Sequence, residues 1–413
     1  MAGGRSSRAV PFTLACCLIG ALSAPAGARE PVVRLRNAQA VPLSFSALDG
    51  WKQDNSAKAF AAFMVSCGAI LNGTKGMRAS RPMFGGLFKV CERAKTAGKL
   101  DREQARAFFE ANFKPVRIIP GGQDDGFFTG YYETEVEGSR VETAEFKYPF
   151  YRSPKPHSKS SIVTHFDREQ IEKGALAGKH LEICWVKNPV DVFFAQIQGS
   201  TRVKLDDGQL LRLNYIASNG LPYTPVGRDL IDRGIIAKED MSMDRIRQWM
   251  EANPEEAEAL RLENRSYVFF EQTDLGPNDQ CIGAQGIPLT PLRSVAVDKS
   301  IHVYGTPIWI EADLPIASEK PEDKFRRLMF AQDTGAAIVG SARADIFFGA
   351  GEEVGHIAGR IKQYGHFVML VPRGVNVIGS IPPALIAEVP LPRPRPKEIA
   401  ADTTASIPSR PHP

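Results

Sequence analysis

The chain has 413 residues, with 51 Lys and Arg against 47 Asp and Glu, so its formal net charge at pH 7 is only +4. That length suits two domains rather than one, because domains usually hold roughly 100–200 residues. The near balance of charge leaves no basic stripe of the kind that DNA-binding proteins carry, so a nucleic-acid partner is not expected.

The N-terminus predicts a secretory signal peptide over residues 1–28. Arg5 and Arg8 precede an apolar run, Val10–Leu22, and the segment ends in Ala26-Gly27-Ala28. A basic start, a short apolar run and small residues before the cleavage point are typical of such signals. Cleavage after Ala28 leaves 385 of the 413 residues, lowers the net charge to +2 and places the protein in the periplasm.

Two other interpretations of this segment stay open. The apolar run is too short to cross a bilayer as a mature helix, but an uncleaved anchor is the alternative. Cys16 and Cys17 raise the question of a lipoprotein, although both lie early in the apolar run and the later small residues offer a better cleavage site.

Residues 29–50 resemble an extended leader, and three helices are expected after it. Apolar residues at helical spacing predict helices over Ala57–Leu71 and Phe84–Thr96. Asp101 with Gln104 predicts a capping-box start to the third.

Four cysteines remain after cleavage, and an even number in an oxidising compartment predicts two disulfides. Three pairings are open in principle. Cys67 and Cys91 lie on neighbouring helical segments and are paired here, which leaves Cys184 with Cys281. Neither CxxC nor HExxH occurs, so no metal and no cofactor is expected.

From Val116 onward the sequence changes to short β-rich runs between Gly, Pro and Asp turns, which indicates a small closed barrel. Helices are expected near Met243–Ala252 and from Pro254. Asp206-Asp207-Gly208 predicts a hairpin turn. The expected strands are 127–132, 192–197, 201–205, 210–214, 267–270, 295–297, 301–303, 308–310, 328–331, 337–339 and 367–371.

A polar ladder is predicted on the strand at 192–197. On a strand, Gln196 and Gln198 point to the same face with Ser200, and planar amides of this kind bind sugars. A solvated edge strand is the open alternative. The candidate substrate-binding residues are Thr129, Tyr131, Gln196, Gln198, Ser200, Tyr215 and Asn219.

Three aspartates end or interrupt β-rich runs between residues 298 and 351. Asp298 and Asp333 could simply accept backbone N–H bonds in turns. Asp345 precedes the apolar run Ile346–Phe348, which would raise its pKa by desolvation and keep it protonated as a general acid requires. Asp345 is therefore the preferred acid/base, with Asp333 as a second catalytic candidate and Asp298 as a structural carboxylate.

These motifs resemble the membrane-bound lytic murein transglycosylase A family over roughly residues 115–375. The resemblance is carried by stretches 128–132, 191–200, 215–223 and 287–291, and by the three-aspartate module at Asp298, Asp333 and Asp345. It implies a mainly β protein with N-terminal helices, in which a double-psi β-barrel (29–134 and 266–375) and an inserted β domain (135–265) flank a groove for a peptidoglycan glycan strand.

The resemblance also implies the chemistry. One Asp protonates the glycosidic oxygen between N-acetylmuramic acid and N-acetylglucosamine, and then acts as base on the C6 hydroxyl of the same muramic acid to give a 1,6-anhydro end. Asp345 matches that position and Asp333 a supporting one. Two residues depart from the usual pattern, Ala336 in place of Gly and Val339 in place of Lys.

Other functions stay open on the sequence alone. Asp333 and Asp345 could serve a two-carboxylate hydrolase, or the barrel could be a noncatalytic glycan-binding module. A monomer is expected, with cell-wall synthesis or division complexes as candidate partners. Residues 376–413 are Pro-rich and predict a disordered tail.

Overall fold

The computed structural model describes Met1 and residues 32–73, 82–154 and 164–380. The predicted signal peptide, apart from Met1, and residues 381–413 of the predicted tail lie outside this part of the chain. The described protein is mainly β with some helices. No helix within it is long and apolar enough to cross a membrane.

Strands occur in every long described segment of the chain. They are β1 (Val32–Arg36), β2 (Ala38–Pro42), β3 (Phe113–Pro120), β4 (Gly126–Ser139), β5 (Tyr148–Tyr151), β6 (Glu182–Val186), β7 (Ser200–Leu205), β8 (Leu210–Ser218), β9 (Val268–Thr273), β10 (Ser294–Val297), β11 (Pro307–Leu314), β12 (Asp323–Asp333), β13 (Arg343–Ala350), β14 (Lys362–Pro372) and β15 (Asn376–Ser380).

The helices flank these strands. They are α1 (Ser56–Leu71), α2 (Pro82–Ala97), α3 (Arg102–Asn112), α4 (Arg168–Gln170), α5 (Pro189–Gln198), α6 (Val226–Asp232), α7 (Met243–Ala252), α8 (Pro254–Glu263) and α9 (Glu352–Ala358), with a 3₁₀ turn at Phe45–Ala47 and a π turn at Ile171–Ala175.

The first three helices agree with the prediction. Asp101 accepts the Gln104 backbone N–H at 2.9 Å while the Gln104 side chain accepts the Asp101 N–H at 3.1 Å, which is the expected capping box. Cys67 of α1 and Cys91 of α2 form the expected disulfide, with Cα atoms 5.0 Å apart.

Six strands close into a ring. β4 pairs with β13, β13 with β10, β10 with β12, β12 with β11, β11 with β14, and β14 returns to pair with β4. The main apolar core joins buried side chains of this ring to those of α1–α3; Phe63 of α1, for example, stacks on Phe330 of β12 at 5.6 Å between ring centroids.

β4 continues beyond the ring into a second group of strands. Its far end pairs with β6 and with β7, and the group continues through β8 to β9. The predicted hairpin is confirmed, because β7 and β8 pair antiparallel around Asp206-Asp207-Gly208. Separate apolar clusters, including one built around Phe150 and Phe270, hold this group.

Three strand predictions are wrong. Residues 192–197 belong to helix α5, which starts with an Asn188 cap and Pro189 and ends at Gly199 in the left-handed conformation (φ 84°). Ile301 and His302 donate backbone N–H bonds to the carbonyl of Asp298, so 301–303 form a turn. Residues 337–339 also form a turn, in which Ile338 N donates to Gly335 O.

The boundaries of the two terminal segments also need correction. Residues 32–42 are not a free leader, because β1 pairs parallel with β15 and β2 pairs antiparallel with β3. The predicted tail therefore starts too early, since Asn376–Ser380 form β15.

The predicted Cys184–Cys281 disulfide is wrong. Both thiols are free and buried. Cys184 lies on β6 in the apolar cluster with Phe150, whereas Cys281 packs against Tyr131 and Phe347 in a different cluster. Burial raises the pKa of each thiol to about 12. Each cysteine thus behaves as a small core residue.

Candidate functional site

Strand register brings the candidate carboxylates to one row of the ring. Ala296 of β10 pairs with Asp333 of β12 on one side and with Asp345 of β13 on the other. Asp345 in turn pairs with Thr129 of β4. Neighbouring strands lie about 4.8 Å apart, so the two aspartates are separated by about two strand spacings.

The Asp345 carboxyl is held by one oxygen. Thr129 Oγ1 donates to Asp345 Oδ1 at 2.5 Å, and Arg343 Nη2 donates to Thr129 Oγ1 at 2.6 Å. No described residue hydrogen-bonds to Asp345 Oδ2 within the distances that define such a bond. Burial raises the pKa of Asp345, against the opposing effects of Arg343 and the Thr129 hydrogen bond.

The Asp333 carboxyl is held by both oxygens. Oδ1 accepts the backbone N–H groups of Ala284 and Thr334, each at 2.9 Å, and Oδ2 accepts the Tyr131 hydroxyl at 2.8 Å. Burial raises the pKa of Asp333; these three donors oppose that rise, and the charge of Asp345 adds to it.

An apolar cluster lies beside both carboxyls and explains their burial. Tyr131, Ala296 and Phe347 belong to it together with Cys281, Leu289 and Ile338. The Tyr131 and Phe347 rings are 5.3 Å apart, in register on β4 and β13. Low-polarity surroundings disfavour an ionised carboxylate, so this cluster is the physical cause of the raised pKa values.

Asp298 has the structural bonding that the sequence predicts. Oδ1 accepts both the backbone N–H and the hydroxyl of Ser300, and Oδ2 accepts Gly340 N at 2.9 Å. Burial alone would raise the pKa of Asp298, but these donors outweigh it and hold the pKa below its ordinary value. Asp298 thereby fixes the loop that follows Asp333.

The predicted amide ladder does not exist. Gln196 and Gln198 lie on helix α5, where residues two apart point in different directions. Both are buried. Gln198 Oε1 accepts Tyr132 N at 2.9 Å, and Gln196 Nε2 donates to Val268 O at 3.3 Å. These amides join α5 to β4 and to β9. Because both are used in contacts within the fold, the prediction that they bind sugar is wrong.

The remaining sugar-binding candidates separate into different environments. Asn219 is buried and its amide bonds the backbone of Phe166, Arg265 and Tyr267, so its role is structural. Ser200 is buried against the Cys281 thiol. Tyr215 has 45% of its surface exposed and is the one of these three that a ligand can reach.

Thr129 and Tyr131 do lie at the site, but the structure gives them different partners from those predicted. Each hydroxyl donates to an aspartate rather than standing free for a sugar: Thr129 to Asp345 and Tyr131 to Asp333. Both hydroxyls therefore act as hydrogen-bond donors to the carboxyls.

Sequence reasoning missed Arg343. Its half-buried guanidinium is held by the carbonyl of Ala344 at 2.6 Å and lies over the Phe127 ring. The signal was present, because residues two apart on a strand share a face and Arg343 is two before Asp345. The Ala284 N–H had no such signal, since its loop approaches Asp333 only in the folded chain.

A buried ion cluster next to the site was also missed. Glu133 is fully buried on β4 and binds Arg212 at 2.9 Å and Arg202 at 2.9 Å. It ties β4 to β7 and β8 just after Tyr131. Nowhere in the described segments do three or more His, Cys, Asp or Glu side chains group in a way that could hold a metal ion.

Comparison with known proteins gives concordant matches. Residues 127–271 match the family model of the MltA specific insert domain, and residues 293–371 match that of the 3D domain. The membrane-bound lytic murein transglycosylase A of Escherichia coli strain K12 is 37% identical over 258 residues, 61% of this chain and 68% of that protein.

Solved structures are similar over most of the chain. A membrane-bound lytic murein transglycosylase from Agrobacterium tumefaciens aligns with a TM-score of 0.73 and 36% identity, covering 81% of this chain and 98% of the other. E. coli MltA with bound chitohexaose aligns with a TM-score of 0.60 and 31% identity, covering 76% and 90%.

Proposed function

The chain belongs to the membrane-bound lytic murein transglycosylase A family, and on that premise we propose that it cleaves peptidoglycan glycan strands with Asp345 as its acid and base. The bond cut is the β-1,4 bond from N-acetylmuramic acid to N-acetylglucosamine. The observation that carries the assignment is the hydrogen bonding of the Asp345 carboxyl, whose Oδ1 accepts from Thr129 while Oδ2 has no donor among the described residues.

Proton counting identifies the reactive oxygen. A threonine hydroxyl has one proton, and Thr129 Oγ1 already accepts from Arg343, so its proton is directed to Asp345 Oδ1. The carbonyl oxygen of a neutral carboxyl is a better acceptor than its hydroxyl oxygen, so we assign Oδ1 as the carbonyl oxygen. The proton of the neutral carboxyl is therefore on Oδ2, and burial keeps it there until it is delivered to the glycosidic oxygen.

The second half of the reaction uses the same residue. After the proton has left, the Asp345 carboxylate removes a proton from the C6 hydroxyl of the muramic acid. That oxygen attacks C1 as the bond to the leaving sugar breaks, which gives a 1,6-anhydro end and restores the neutral acid. The charge of Arg343 and the hydrogen bond from Thr129 both favour the carboxylate in between.

A two-carboxylate hydrolase fits these contacts less well. Such an enzyme needs a second carboxylate free to activate water or attack the sugar. Asp333 has both oxygens occupied by three donors. An internal hydroxyl replaces the water in a transglycosylase, so one reactive carboxyl is enough.

The finer architecture of the proposal follows the resemblance. We assign the six-strand ring as a double-psi barrel and residues 135–265 as an inserted domain, with the glycan strand lying in a groove between them. Support comes from β4, which passes from the ring into the second group of strands, and from the chitohexaose bound by the E. coli relative. The protein would act in the periplasm as a monomer on glycan strands.

The test is product analysis of purified sacculi by mass spectrometry. The protein is expected to release muropeptides with 1,6-anhydro ends, and Asp345→Asn is expected to release none above background. Reducing ends as the main product would replace the proposal with a hydrolase. Sacculi that bind the protein and stay uncut by the wild type would replace it with a noncatalytic binding module.

A further inference from the structure

A second candidate site lies away from the three aspartates. An open cavity of about 980 Å³ is bounded by the first half of α1, the start of β12 and residues 290–293. Asp345, Asp333 and Thr129 do not line it. Its volume is at the upper end of the range for small-molecule and cofactor pockets, roughly 300–1,000 Å³.

The cavity is strongly cationic. Its lining includes five basic side chains, Lys58, Arg293, Lys324, Arg326 and Arg327, against two acidic ones, Asp49 and Asp54. A concave surface with this excess attracts anions and raises their local concentration.

Both acidic side chains are already used. Asp54 receives two bonds of 2.7 Å from Arg293 and also accepts the Leu328 backbone N–H. Asp49 binds Arg326 at 2.7 Å. These pairs neutralise Arg293 and Arg326 and leave the other three cations of the lining.

Lys58, Lys324 and Arg327 have no acidic partner within salt-bridge distance among the described residues. Arg327 is half-buried with its guanidinium over the Phe325 ring. Burial and the charge of Arg293 lower its pKa, and the charge of Asp54 opposes them. A partly desolvated guanidinium gains from an anion that accepts two parallel N–H bonds.

Part of the lining is apolar. It includes Val65 of α1, 38% of whose surface is exposed, together with Pro291 and Leu292. A single small anion would need no such apolar surface, whereas a short peptide has apolar side chains as well as carboxylates.

We propose that this cavity binds the carboxylates of a peptidoglycan stem peptide. The proposal rests on the function proposed above, because the glycan backbone carries little charge and the peptides that branch from it carry the carboxylates. Arg327 would take one carboxylate with two parallel bonds, while Lys58 and Lys324 would hold a second as point charges. The cavity would thus hold a peptide while the site at Asp345 cuts sugar.

Two measurements test the proposal on the full chain. The first titrates soluble stem peptide, released from peptidoglycan by an amidase, into the wild type and the Arg327→Gln, Lys324→Gln double variant by calorimetry. Affinity should fall by about tenfold or more in the double variant. Lys320→Gln, an exposed lysine outside the lining, is the matched control and should bind as the wild type does.

The second measurement compares cutting of peptide-bearing sacculi with cutting of amidase-treated, peptide-free strands. The double variant should lose activity on the first and keep it on the second. A wild type that does not bind the peptide, or a double variant that binds it equally well, would overturn the proposal. Binding of the wild type to phosphatidylglycerol vesicles but not to the peptide would overturn it in favour of a phosphate headgroup. A wild type that binds the peptide and yet cuts neither substrate would count against the proposed function instead.

Discussion

Strand β10 has an aspartate beside it on each side in the same row, yet the two aspartates differ in their hydrogen bonds. Asp345 and Asp333 both pair with Ala296, and the shared apolar cluster raises the pKa of both. Within the described part of the chain, Asp345 has one hydrogen-bond donor on one oxygen, whereas Asp333 has three donors on two oxygens.

Strand register sets where each carboxyl lies, and the hydrogen-bond donors around it set whether one of its oxygens can exchange a proton with substrate. A carboxyl with an open oxygen can pass a proton to a substrate. A carboxyl whose oxygens both accept hydrogen bonds can orient its neighbours, here Tyr131 and the loop at Ala284, but three of its four lone-pair sites are already used. Four substitutions test that distinction.

Asp345→Asn should have the largest effect. The amide keeps the shape and can still accept the Thr129 bond, but it cannot deliver or take a proton. Acid–base loss costs about 10²–10⁴ in rate, and here one residue serves both steps, so the upper end is expected. The release rate of anhydro-muropeptides from sacculi measures it.

The fold should survive this change. Because burial raises the pKa of Asp345, its ionised form costs stability as pH rises through that pKa, and a neutral amide removes the cost. The melting temperature at neutral pH should therefore stay the same or rise. A folded Asp345→Asn protein that cuts at the wild-type rate would contradict the assignment.

Asp333→Asn should lower the rate less than Asp345→Asn does, by a factor on the order of tens. The amide oxygen can still accept from Ala284 and Thr334, and only the bond with Tyr131 must reverse its donor. The same sacculus assay, run beside Asp345→Asn, ranks the two sides of β10. Equal losses of both variants would show that Asp333 takes part in the chemistry.

How much of this structure can be predicted from the sequence depends on how far apart in the chain the interacting residues lie. Helix α1 and the capping box of α3 follow from spacing within one segment, so their prediction succeeded. The prediction for helix α5 was wrong because Phe193, Ala195 and Ile197 alternate with other residues in the pattern typical of a strand. The Asn188-Pro189 start and the Gly199 stop were visible and should have outweighed that alternation.

The site follows the same rule. The apolar neighbours of Asp345 are adjacent in sequence, so its raised pKa was predictable. The bond from Tyr131 to Asp333 spans 202 positions and depends on the ring closing, and no local pattern carries it. The free Cys184 and Cys281 show the same limit, because an even count of cysteines says nothing about which core each enters.

Thr129→Val should cost about tenfold in rate and change its pH dependence. The Thr129 bond lowers the pKa of Asp345, so its loss raises that pKa further. The acid step needs the protonated form, which is present below the pKa and lost above it. The falling limb of the pH–rate profile should therefore move to higher pH. Thr129→Ser keeps the hydroxyl and should leave the limb in place.

Tyr131→Phe should have the smallest effect, about two- to threefold in rate. This variant corresponds to Thr129→Val on the other side of β10, because each substitution removes one hydroxyl donor to an aspartate. Its loss raises the pKa of Asp333, which keeps two backbone N–H donors. Because Asp333 passes no proton to substrate, the falling limb should stay where the wild type has it. A shift as large as that of Thr129→Val would mean that both carboxyls titrate in catalysis, and the distinction between the two sides would then be lost.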